Sequence, residues 1–266
     1  MSSLLERAPI LRGSSPLLLG GVFAFLIIAW GYVVSMAWGM KNMDISMEWW
    51  TMPRMRDWDG ADLALVFAMW AIMMAAMMLP SAVPLLLLLS RSNSQRYNGP
   101  RALLASSASA FGYLTAWGAF SGLATLAQWG LLEARLVSPM MVSSSPYLSA
   151  LLLAAAGAYQ FTAWKYACLS LCRSPLSTLM TQQRDGITGA LLLGLRQGAY
   201  CIGCCWLLMT LLFVLGVMNL LWIMALTLWV LVEKSLHQPR WFVQFGGAAL
   251  LISAVLVAGR AVFPVT

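Results

Sequence analysis

Ile187–Gly216, ITGALLLGLRQGAYCIGCCWLLMTLLFVLG, holds one charged residue, Arg196, and packs three cysteines into five positions. At about 1.5 Å of rise per residue, a helix over this run crosses a hydrocarbon core of about 30 Å. So long an apolar run predicts a membrane helix. On it, Cys201 and Cys205 stack at i, i+4, and Cys204 lies beside them. Gln197, Cys201, Cys205 and Met209 form one line, and Arg196, Tyr200 and Cys204 the next. Soft sulfur and polar groups thus share a face at a depth where polar groups are costly. Two explanations stand at this point. Cysteine is a small residue that buries easily, and thiolate and thioether ligands select soft metals.

The whole chain agrees with the membrane reading. Its 266 residues are 61% hydrophobic and only 9% charged, with a mean hydropathy of +0.80. That balance is wrong for a soluble domain. The net charge of +7 is scattered over short loops, which speaks to topology and contact with the lipid bilayer rather than to nucleic acid. Five cysteines, most of them in or beside apolar segments, do not resemble a secreted disulfide framework. With one histidine, His237, neither a haem held by two histidines nor a mainly histidine zinc site is expected.

The expected fold class is all-α, a polytopic bundle of about seven spans in a single integral membrane domain, residues 1–266. The spans fall at about 16–38, 61–89, 102–129, 147–171, 187–216, 217–232 and 241–259. The first is too long for a signal-peptide core and is expected to be retained. Pro80 and Pro84 are expected to kink the second. Nine Lys and Arg fall on one side of this arrangement and five on the other. That bias predicts the N-terminus inside and the C-terminus outside.

Methionine is the second signal. Eleven of the eighteen lie between residues 36 and 78. Met36, Met40, Met43, Met47, Met52 and Met55 crowd the first outer loop and its approach, alongside Asp44, Glu48, Asp57 and Asp59. Met69, Met73 and Met77 then stack on the second span, with Met74 and Met78 on the adjoining line. Thioether sulfur is uncharged at any pH and resists oxidation better than a thiol, so an outward cluster suits capture of Cu(I); flexible core filling is the other explanation. Cys168 and Cys172 stack at the inner end of the fourth span, where Lys165 either lowers a thiol pKa or snorkels. This pair is expected to form a separate inner site. Arg196 is expected to balance thiolates or pair with Glu233, whereas Glu233–Lys234 reads as a helix-end charge pair.

Three elements resemble a bacterial family of metal-binding integral membrane proteins whose domain has no settled function. They are AMMLP at Ala76–Pro80, YQFTAWKYACLSLCRSP at Tyr159–Pro175, and CIGCCW at Cys201–Trp206 followed by Met209. The resemblance spans most of the chain from the second span through the sixth. It implies a multi-pass protein of the bacterial inner membrane with a metal, copper above all, as its ligand.

The resulting expectation is a protein that handles soft metal, Cu(I) first, capturing it outside and passing it through Met73, Met74, Met77, Met78, Cys201, Cys204, Cys205 and Met209. Cys168 and Cys172 receive or release it inside, supported by Arg196, Gln197, Lys165 and Glu233. Its partners are the metal ion, the bilayer, and a copper enzyme or periplasmic metallochaperone. No enzyme activity is expected, and no nucleotide-binding motif is present for an ATP-driven pump. The enzymatic alternative is a thiol–disulfide relay using Cys201, Cys204 and Cys205 with Cys168 and Cys172. A structural subunit whose thiols only pack is a further alternative.

Overall fold

The computed structural model describes residues 16–41, 58–136, 145–173, 186–217, 219–235 and 240–262. Met43, Met47, Met52, Met55, Asp44, Glu48, Asp57 and His237, singled out above, lie outside the described residues.

Every regular element among the described residues is an α-helix. In chain order they are α1 (Pro16–Lys41), α2 (Gly60–Arg96), α3 (Pro100–Glu133), α4 (Pro146–Tyr159), α5 (Ala163–Arg173), α6 (Gly186–Thr210), α7 (Leu212–Leu215), α8 (Leu220–Ser235) and α9 (Arg240–Val262). Among the described residues, four stretches are both long and apolar enough to cross a membrane: Gly20–Gly39, Gly60–Arg96, Gly186–Leu215 and Arg240–Ala261. The other expected spans fall short of that measure for identifiable reasons. α3 is long but studded with Ser106, Ser109, Ser121, Thr125 and Gln128, all buried. α8 has 16 residues. The span expected at 147–171 is two helices, broken where Gln160, Phe161 and Thr162 donate i→i−3 backbone bonds. Thr162 Oγ1 then caps α5 by accepting from Lys165 N.

α2 and α6 form the interior, whereas α1 and α9 lie on the outside with Ile27, Ile28 and Val255 exposed. Outward-facing aliphatic side chains on peripheral helices are what lipid contact requires. α3 packs along α6 more extensively than any other pair, and α2 lies against α1, α3 and α8.

Glycine sets the α3–α6 distance. A Cβ on Gly194 would lie 1.9 Å from Ser109 O, and one on Gly112 2.2 Å from Leu191 O. Gly198 likewise abuts Ala116 and the Tyr113 backbone. Small residues four apart let two backbones touch, which is how helices associate without a hydrophobic driving force.

α2 runs unbroken through Pro80 and Pro84. Proline 80 has no N–H for the carbonyl four residues earlier, at Ala76. Trp30 Nε1 on α1 donates to that carbonyl at 3.1 Å, so the outer helix completes the ladder that the proline interrupts.

Candidate metal centre

The close α3–α6 contact places Tyr113 directly over the cysteine-bearing turn of α6. Tyr113 Oη lies 3.0 Å from Cys201 Sγ and donates to Met78 O on α2 at 3.4 Å. One hydroxyl thus touches both α2 and α6. Within α6, Cys204 Sγ and Cys205 Sγ donate to Cys201 O at 3.1 and 3.0 Å. These local bonds hold both side chains in defined rotamers beside Cys201.

Across the α2–α6 contact, Cys205 Sγ is 4.0 Å from Met78 Sδ. Two sulfurs bound to one ion at about 2.3 Å each lie at most about 4.6 Å apart, so one ion can touch both at this separation. Lys234, from the last turn of α8, reaches the same point. Its Nζ is 2.8 Å from Cys201 Sγ, 3.7 Å from Met78 Sδ and 3.9 Å from Cys205 Sγ. Tyr113, Cys201, Cys205, Met78 and Lys234 are all buried. Neither Lys234 nor Tyr113 was among the expected site residues. The available signals were a lysine at the end of an apolar helix and a tyrosine inside another, and neither names its partner.

The second sulfur pair corrects an expectation. Cys172 Sγ lies 4.0 Å from Cys204 Sγ, and Cys168 Sγ stands where a Cβ on Gly203 would be, 2.7 Å away. Cys168 and Cys172 therefore join the α6 cysteines instead of forming a separate site below them. The break at residues 160–162 is the reason. It turns α5 so that its cysteines face α6, which a straight span over 147–171 would not do. Tyr159 at the end of α4 donates its hydroxyl to Gly203 O and pins the corner. All five cysteines are free thiols.

Glu233 and Lys234 do not pair as a helix-end couple. Glu233 accepts from Lys165 Nζ at 2.9 and 3.2 Å and from Trp229 Nε1 at 2.9 Å. Arg173 Nε donates to the Glu233 backbone carbonyl at 2.8 Å. Lys165 and Glu233 are both essentially inaccessible. Lys165 thus serves the carboxylate.

The other expected methionines share the core that holds Met78 and the α6 cysteines. Met73, Met74, Met77 and Met209 are buried in the main core. Met73 shares with Met36 and Met69 the lining of a crevice of about 10 Å³ between α1, α2 and α8. Gln197 is buried, and its Oε1 has no hydrogen-bond partner among the described residues. Arg196 is half-buried, and no bond joins it to a thiol or to Glu233 among the described contacts. Nor do three His, Cys, Asp or Glu side chains converge as a ready ligand set among the described residues. The point of convergence is instead two thiols, one thioether and an ammonium. The sulfur donors are soft, so the chemistry suits a soft ion and not a hard one.

A family model described as PpoB2, copper chaperone, matches residues 67–257. No curated protein and no solved structure matches the chain. The match agrees with the copper-handling resemblance carried by the AMMLP, YQF–RSP and CIGCCW elements.

Proposed function

The chain belongs to the PpoB2 copper chaperone family, and we propose that it takes up Cu(I) at the outer face of a bacterial inner membrane and hands it on through sulfur sites. The arrangement is about seven spans, N-terminus inside. Outer methionines and acids collect the ion, and the Met36–Met69–Met73 crevice is the first thioether station within the bundle. Met78, Cys201 and Cys205 hold the ion at mid-depth. Cys204 and Cys172 form the next sulfur pair, with Cys168 beside them against Gly203, and release it to a copper enzyme under assembly or to a metallochaperone. The protein acts as a carrier and catalyses no covalent step.

The observation that carries this reading is the approach of Met78 Sδ to Cys205 Sγ, 4.0 Å across two helices. Thioether and thiol at one buried point are donors for a soft ion. The test is Cu(I) stoichiometry in detergent-purified full chain, by competition with a chromogenic chelator. The native chain is expected to hold Cu(I) tightly and Cys201/Cys204/Cys205→Ser to lose it. Equal binding by the native chain and a cysteine-free variant would overturn the reading.

A further inference from the structure

Lys234 Nζ touches three sulfur atoms from two other helices, and none of them is its sequence neighbour. The adjacent Glu233 is unavailable to it, because Lys165 and Trp229 occupy the carboxylate and Arg173 the carbonyl. A step of one residue along a helix turns the side chain by about 100°, and that rotation aims Lys234 at Cys201, Cys205 and Met78 while Glu233 faces α5. One unit of positive charge thereby sits among the soft donors.

We infer that Lys234 is the charge-matching residue of this site: its ammonium holds the position the cargo takes, and the two exchange one for one. The inference rests on the metal reading above and narrows the cargo to a soft monovalent cation. Burying charge is costly and the cost falls when the site's net charge is balanced. Replacing one monovalent cation by another leaves the buried charge unchanged, whereas a divalent ion adds an uncompensated unit. Ammonium and cargo do not share the site, because two like charges at about 4 Å in a buried setting repel without screening by salt. The lysine has a way out. Lys234 is one residue from the α8 terminus at Ser235, and its four-carbon stem lets the head snorkel to the interface. There the carbonyls at the helix C-terminus favour a cation. The ammonium keeps its proton throughout; Cys201 enters the exchange as the thiolate that accepts the ammonium's N–H at 2.8 Å, Cys205 keeps its S–H, and the site's net charge is the same before and after.

Ag(I), a soft monovalent ion with no redox chemistry under the conditions of assay, is the probe, and the full chain in detergent is the sample. Affinity is measured by chelator competition for the native chain, Lys234→Leu and Cys201→Ser. Lys234→Leu removes the charge without adding a metal ligand, and is expected to bind Ag(I) about tenfold more tightly or better and to release it more slowly. Amine labelling of the native chain read by mass spectrometry covers the case in which that variant does not fold: saturating Ag(I) is expected to raise labelling of Lys234 severalfold. Equal or weaker binding by Lys234→Leu, or Lys234 labelling indifferent to saturating Ag(I), overturns the exchange while leaving the metal site in place. A native chain that binds no Ag(I), or Cys201→Ser that binds as well as native, overturns the metal reading and the exchange together.

Discussion

Cys172 on α5 and Cys204 on α6 bring their sulfurs to 4.0 Å, although 32 residues of chain separate them. Cys168, four residues before Cys172, meets the bare backbone of Gly203 instead. The contact depends on the bend between α4 and α5, and it draws all five cysteines into one region of the bundle.

That proximity predicts the order of oxidation. A disulfide needs sulfurs at about 2.05 Å and Cβ atoms about 3.8 Å apart. Diamide, which takes two hydrogens from a thiol pair, is expected to link Cys172 to Cys204 before either Cys168–Cys172 or Cys201–Cys204. Peptide mapping after alkylation reads the pairing. Predominant Cys201–Cys204 linkage would contradict the α5–α6 geometry.

Among the methionines of α2, position decides importance. Met78→Leu is expected to weaken Cu(I) or Ag(I) binding by at least about tenfold, the lower end for losing a partner of a metal site. Met74→Leu, equally buried but with no sulfur contact among those described, is expected to leave affinity unchanged. Chelator competition on both variants checks this. Equal effects would return the methionines to the status of core filling.

The Lys165–Glu233 pair is expected to be unforgiving of single changes. Glu233→Leu leaves the inaccessible Lys165 ammonium without its counter-charge, at a cost of about 3–5 kcal/mol. Lys165→Met with Glu233→Leu removes both charges and is expected to recover most of that loss. Thermal unfolding of the single and double variants in detergent measures the coupling. Additive losses would show that the pair contributes nothing as a pair.

Trp30 and Pro80 are expected to behave as a compensating couple. Trp30→Phe leaves the buried Ala76 carbonyl without a donor and costs about 1–3 kcal/mol. Pro80→Ala supplies an N–H at the position that normally serves Ala76, so Trp30→Phe in that background is expected to cost less. Unfolding midpoints of the four chains decide it, and an undiminished loss in the Pro80→Ala background would refute the account.

Sequence alone determined that the chain is helical and built for a bilayer, because apolar runs such as Ile187–Gly216 leave the backbone no other way to satisfy its hydrogen bonds in lipid. It also determined which sulfur atoms are clustered along single helices, since i, i+4 spacing is local geometry. The motifs AMMLP and CIGCCW further carried the copper-handling family. What sequence left open was the joining of those clusters. Glycine contacts at Gly112, Gly194 and Gly198 set how near α3 comes to α6 and bring Tyr113 onto Cys201. The turn at 160–162 redirects Cys168 and Cys172 towards α6. The choice of partner for Glu233 is the clearest case. Its neighbour Lys234 is adjacent in the chain, yet Lys165, 68 residues away, takes the carboxylate. Helical rotation points neighbouring residues at different helices, and only the packing of α5 and α6 around α8 decides that one of these lysines meets a carboxylate and the other meets sulfur.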